Sequence, residues 1–196
     1  MTSPTDWREC RVDLPAAHNW LVLDLRGDDP ETWALALAEQ HLGDETDERL
    51  RTAFAEDLLW YWGAAVRQGA LCAAVLAPRD DAIVASCTVR ELRVPPESLS
   101  LAAFRAEAER AEGPYFGGVR GVSEVELPLG PALRIHRQEP TAPEADRGVI
   151  VEGVAHYILP TRHATALECR LLWTSLGLGE ELTKVADQLA DSVRLA

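Results

Sequence analysis

The chain has 196 residues, a hydrophobic share of 47 % and a formal net charge of -13. Those values describe one globular domain, residues 1–196, and exclude a fibrous or intrinsically disordered chain. The charge repels phosphate backbones and the arginines are scattered singly, which excludes nucleic acid as a partner.

In chain order, "RECRVDLP" and "NWLVLDL" read as two short strands joined at Pro15. "DDPETWALALAEQHLG" then opens a helix: Asp29 caps it, Pro30 suits its first turn and Gly43 stops it. A longer helix is predicted from Asp47 to Gln68, ended by Gly69. "ALCAAVLA" and "AIVASCTVREL" flank "PRDD" as a hairpin, and a symmetric loop sets Cys72 opposite Cys87. After the stiff turn "RVPPES", "LSLAAFRAEAERAEG" is a third helix with Leu101, Phe104 and Ala108 on one face. The glycine-rich "GPYFGGVRG" leads into two more hairpins. The first pairs "VSEVELP" with "ALRIHRQ" and turns at Leu129 and Gly130. The second pairs "RGVIVEGVAHYILP" with "ATALECRLLWTS" and turns near Arg162, and "EPTAPEADR" between them reads as a loop. "GEELTKVADQLADSVRL" closes the chain as an amphipathic helix, with Leu182, Val185, Leu189 and Val193 on one stripe.

Hairpin joins make the sheet mainly antiparallel. The strand from Gly148 to Leu159 is apolar on both faces: Val149, Val151, Tyr157 and Leu159 alternate with Ile150, Val154 and Ile158. A strand of that kind is covered on both sides. The expected fold is α+β, an α/β/α sandwich.

No run approaches the roughly 18 apolar residues of a membrane span, so no insertion is expected. "MTSPTDWREC" lacks a basic start followed by an apolar run, which makes the cytoplasm the expected location. Lys184 is the only lysine, a skew that looks like GC-rich coding of the actinobacterial kind.

Signatures of catalysis are missing: neither G-x-S-x-G nor H-E-x-x-H occurs. His136 and His156 lie on strands that could be neighbours, with Glu124 or Glu126 nearby. Two histidines and a carboxylate make a metal-ligand set, but a polar strand face explains them equally well, and no metal or cofactor is expected. Cys10, Cys72, Cys87 and Cys169 fit no zinc spacing and read as packed thiols, with a strained Cys72–Cys87 disulfide as the alternative under oxidation. Gly177 and Gly179 precede a helix as in a phosphate loop, but Glu180 and Glu181 occupy the anion's place. An anion nest at "GPYFGGVRG" with Arg120 competes with a plain connector.

Two surfaces stand out. In "LLWYWGAAV", consecutive side chains point about 100° apart on a helix. Phe54, Leu58, Trp62, Ala65 and Val66 form the buried stripe, Tyr61 borders it, and Trp60 points away beside Glu56 and Asp57. Either the first helix or the 139–147 loop covers Trp60, or it is an exposed anchor of the type favoured at interfaces. Residues 28–57 carry ten acidic side chains against Arg49 and Arg51, which favours a basic protein partner. The second surface comes from strands with one mixed polar face: Ser86, Thr88 and Arg90; Arg134, His136 and Gln138; Glu168, Arg170 and Thr174. These polar faces either align into one surface able to cradle a peptide or are simply exposed at a sheet edge; on the first reading the expected partner-binding residues are Trp60, Arg90, Arg134, His136 and Arg170.

Three stretches carry a resemblance: "VDLPAAHNWLVLDL", "GVIVEGVAHYILPTRHATALECRLLWTS" and "ELTKVADQLADSVRL". Their order resembles the PsbP-like fold of the PsbP subunit of photosystems, the Ran-binding Mog family and the Eag chaperones of type VI secretion, and looks like an uncharacterised actinobacterial version of it. The long aromatic helix departs from simpler versions. The resemblance brings no active site and implies protein binding, as an adaptor or as a chaperone for a secreted effector. A small-molecule site or enzyme near His136 and His156, an immunity protein and a homodimer remain alternatives.

Overall fold

The computed structural model describes residues 10–16, 19–43, 46–78, 82–110, 118–140, 149–161 and 165–195. The "PRDD" turn tip, most of "GPYFGGVRG", the 141–148 part of the long loop, the turn at Arg162, His18 and His163 lie outside them.

Among the described residues four α-helices form where periodicity, with capping for the first two, places them: α1 (Pro30–Leu42), α2 (Glu48–Arg67), α3 (Leu101–Arg110) and α4 (Gly179–Ser192). The Asp29 carboxylate accepts from the Thr32 amide at 3.0 Å and the Asp47 carboxylate from the Arg49 amide at 2.7 Å, so each satisfies an orphan donor of a first turn. Past the end of α2, Gly69 turns the chain at φ 65, a conformation in which a Cβ is strained.

The strands are β1 (Cys10–Arg11), β2 (Trp20–Val22), β3 (Ala70–Leu76), β4 (Ala85–Leu92), β5 (Gly118–Leu127), β6 (Gly130–Pro140), β7 (Ile150–Ile158), β8 (Ala166–Trp173) and β9 (Arg194–Leu195). Seven of them form one sheet in the order β2-β3-β4-β8-β7-β6-β5, antiparallel at every join. The β7–β8 hairpin is thus inserted between β4 and β6, which puts both of its strands in the interior of the sheet. β1 does not join this sheet. It pairs with β9, a two-residue C-terminal strand that the sequence pattern continues as helix.

Helices cover both faces, giving an α/β/α sandwich. On one face α4 buries Leu182, Val185, Leu189 and Val193 against Val154, Ile158, Leu167, Leu171 and Trp173. On the other, α1 and α2 pack over β2 and β3 through Ala34, Ala38, Phe54, Leu58 and Val75. α3 packs at the far end against Leu133 and Ile135 of β6. The buried residues of α2 are Phe54, Ala55, Leu58 and Ala65. Val66 lies outside that stripe and Trp62 is only half-buried, its Nε1 donating to the Asp24 carbonyl at 2.9 Å.

The β3–β4 register differs from the symmetric expectation. Ala74, not Cys72, lies opposite Cys87, and Cys72 faces Val89 after a bulge at the start of β3. A two-residue slip keeps every side chain on its own face, whereas a one-residue slip would not. The change therefore alters partners without altering the core. Cys72 Sγ instead lies 4.0 Å from Cys10 Sγ. The Cys72 thiol and burial hold Cys10 above the ordinary thiol range, while the hydrogen bond from Cys10 draws Cys72 below it. Cys87 sits beside Cys169 and, with burial, pushes the Cys169 thiol up. All four cysteines are free thiols.

Candidate binding trough

The connections dictate which strands stay bare. α1 and α2 lie between β2 and β3 in the chain and settle over those strands; α3 leads to β5 at the opposite edge and settles over β5 and β6. Between them this face of β4, β8 and β7 forms the floor of a trough. Cross-strand register sets what points into it: Ser86 opposite Leu172, Thr88 opposite Arg170, Arg90 opposite Glu168, and on the other side of β8, Ala155 opposite Arg170 and Tyr157 opposite Glu168.

The trough has two compartments. The larger, about 440 Å³, lies against α2 and is lined by Trp60, Tyr61, Ala64 and Gln68 above Ser86, Thr88, Val151 and Leu172. The smaller, about 160 Å³, lies toward α3 and is lined by Arg137, Tyr157 and Glu168. Val151, Arg170 and Leu172 border both. Gly153 keeps the floor low: a Cβ there would lie 2.4 Å from Leu172 Cδ2 and 2.8 Å from the Leu171 carbonyl oxygen. Trp60 is 64 % exposed and stands edge-on to Tyr61 with ring centroids 4.8 Å apart. It marks the rim, and α1 leaves it open.

Charge on the floor is unevenly compensated. Glu168 is only 2 % exposed and accepts from Arg90 Nε. Arg170 instead donates from Nη2 to the uncharged Gln68 amide oxygen at 2.6 Å. Arg137 reaches the Ala108 carbonyl at 3.4 Å and the exposed Glu139 at 3.5 Å. Among the described residues, the Nε groups of Arg137 and Arg170 are buried without a hydrogen-bond partner.

Burial, aided by the negative charge of Glu168, pushes the Tyr157 phenol up to about 12 from an ordinary 10.0. The folded state then holds a proton that the unfolded state releases, so this contribution is intact below pH 10 and is lost as pH rises from 10 to 12. A shift of this size corresponds to about 3 kcal/mol. Urea unfolding across that range is expected to fall more steeply for the wild type than for Tyr157→Phe, and equal slopes would refute the assignment.

Of the residues expected to bind a partner, Trp60 and Arg170 line this trough, and Arg90 shares its sheet face, held by Glu168. Arg134 and His136 do not, because their strand position puts them on the α4 face. Arg134 donates to Asp187 of α4 from Nε at 2.7 Å and Nη2 at 3.3 Å, and His156 Nε2 lies 3.1 Å from the same carboxylate. Burial alone would raise Asp187; the hydrogen bonds from His156 and Arg134 outweigh it and hold the carboxyl below its usual range. His136 Nε2 lies 2.7 Å from Glu152 Oε1, and Trp173 Nε1 donates to Glu152 Oε2 at 3.2 Å. That same carboxylate lies against Gly179, where α4 begins without a side-chain cap, so a buried protein anion meets the positive end of the helix.

Glu124 and Glu126 occupy the opposite face from these histidines, and Glu124 pairs with Arg105 at 3.1 Å. Among the described residues no group of three His, Cys, Asp or Glu side chains is arranged to hold a metal. Sequence reasoning missed Gln68, Arg137 and Tyr157. Strand alternation does place Arg137 and Tyr157 on one face of their strands; only the β6–β7–β8 pairing aligns them with Arg170.

The molecule is thus an antiparallel α/β/α sandwich with an open trough on one face, and among the described residues no helix is long and apolar enough to cross a membrane. No family model and no curated protein matches the chain. Among solved structures it is similar to the crystal structure of a protein of unknown function, PA94, from Pseudomonas aeruginosa. The identity is 14 % and the TM-score 0.37, over 59 % of this chain and 88 % of that one.

Proposed function

We propose that this protein is a non-catalytic binding module, an adaptor or chaperone, that receives a segment of a protein partner in the trough between α2 and α3. One observation carries the reading: among the described residues no helix covers a strip of the central sheet, and that strip is bordered by an exposed Trp60. Exposed apolar area rimmed by polar groups is what recognition surfaces leave on an otherwise folded surface. The PsbP-like resemblance supports the same reading, since those relatives mostly hold protein partners. Four free thiols suit a reducing, cytoplasmic setting.

Site-specific photocrosslinking tests it. A benzoylphenylalanine at Thr88, on the trough floor, is expected to capture a discrete protein in cells of the source organism. The same group at Lys184, on the exposed side of α4, is expected to capture none. Equal capture from both positions, or none from Thr88, would overturn the reading. A second reading is a small-molecule site, favoured by the volume of the larger compartment, which lies in the usual range for ligand pockets. On this reading the molecule enters the trough, since His156 is buried against Asp187 of α4 and His136 is engaged by Glu152.

A further inference from the structure

We infer that the segment taken up by the trough is acidic as well as apolar: an apolar stretch whose carboxylate engages Arg170. This rests on the binding-module reading above and adds the chemistry of the partner.

The argument starts from how the sheet arginines are compensated. Arg90 is held by the buried Glu168, and Arg134 by Asp187. Arg170 lies on the floor between the two compartments, and among the described residues its side-chain hydrogen-bond partner is the neutral Gln68. Glu168, two residues along the same strand face, is engaged by Arg90, so the Arg170 guanidinium borders an apolar cavity with no carboxylate hydrogen-bonded to it among the described residues. An incoming carboxylate replaces a neutral acceptor with a charged, bidentate one, which is the stronger arrangement. Gln68 sits at the C-terminal end of α2 and is exposed, so it can swing out without loss of packing.

The chain's overall negative charge does not forbid this. The nearest acidic side chain of α2 on the trough side, Asp57, is about 16 Å along the helix from Gln68. That exceeds the screening length of about 8 Å at physiological salt. On the floor the negative charge of Glu168 is matched by Arg90, which leaves Arg170 and Arg137, and among the described residues the ion-pair partner of Arg137 is the exposed Glu139. The acidic stretch 28–57 therefore does not define what enters the trough.

Selection from a random peptide library on immobilised protein tests both layers. Wild type is expected to enrich sequences with clustered apolar residues and an Asp or Glu among them. Arg170→Gln is expected to enrich apolar sequences without the acid, and Arg170→Glu to exchange it for Lys or Arg. A synthetic wild-type consensus peptide is expected to bind about tenfold more weakly, or worse, when its acid becomes the amide, the usual loss for a hydrogen bond to a charged group. Circular dichroism confirms that each variant is folded.

If the wild-type consensus is neutral or basic and depends on Trp60, the acidic partner is wrong and the module reading stands. If nothing is enriched over a trough-blocking Thr88→Arg variant, while dodecanoate binds saturably, the site belongs to a small anionic amphiphile and both readings fall.

Discussion

Replacing Glu168 by alanine is expected to remove about 3–5 kcal/mol of unfolding free energy, the cost of breaking a buried ion pair from one side. Glu168 is 2 % exposed and lies under the trough floor. It accepts from Arg90 Nε, and its negative charge reaches Tyr157. Taking the carboxylate away leaves the Arg90 guanidinium, whose side chain is 29 % exposed, without its counter-ion beside an apolar wall. The double replacement Arg90→Leu with Glu168→Leu is expected to restore most of the loss, because two matched apolar side chains remove the desolvation problem as well as the attraction. Urea unfolding of the four proteins closes the cycle. A single-mutant loss below about 1 kcal/mol would mean that the pair behaves as a surface pair and that the floor is wetter than its burial implies.

The second large effect is expected at Trp173. Its indole is 2 % exposed and fills the core beneath α4, while Nε1 holds Glu152. Trp173→Ala opens a cavity and is expected to cost about 3–5 kcal/mol. Trp173→Phe keeps most of the volume and loses the donor, so a smaller cost of about 1–3 kcal/mol is expected. The difference separates packing from the hydrogen bond. Because Glu152 also meets the uncapped start of α4, both variants are expected to lose amide protection first in α4, and hydrogen exchange resolved by segment reads this directly. Alanine and phenylalanine variants of equal stability would show that the ring's volume is not what the core requires.

The local chain determined a large part of this molecule. Asp29, Pro30 and Gly43 bound α1 through groups within one turn of each end, and Asp47 starts α2 in the same way. The alternation of Ser86, Thr88 and Arg90 with Ala85, Cys87 and Val89 separates the two faces of β4 without reference to any other strand. The hairpins follow from adjacency, and so does antiparallel pairing. Trp60 is legible as the outward aromatic because the helical angle alone turns it away from Leu58 and Trp62.

Strand order lay beyond that reach. A period of two tells which side chains share a face within a strand, but it is silent on which face of one strand joins which face of another until pairing and register are set. The sequence grouped Arg134 and His136 with Arg90 and Arg170 as one polar surface. Insertion of β7–β8 between β4 and β6 turned the first pair to the α4 face, against Asp187 and Glu152, and left the second pair on the trough face. It also brought Arg137, from the other hairpin, beside the Tyr157 and Glu168 that face each other within β7–β8. The C-terminal strand β9 has the same origin: two residues carry no periodicity, and only the nearness of β1 in space makes them a strand.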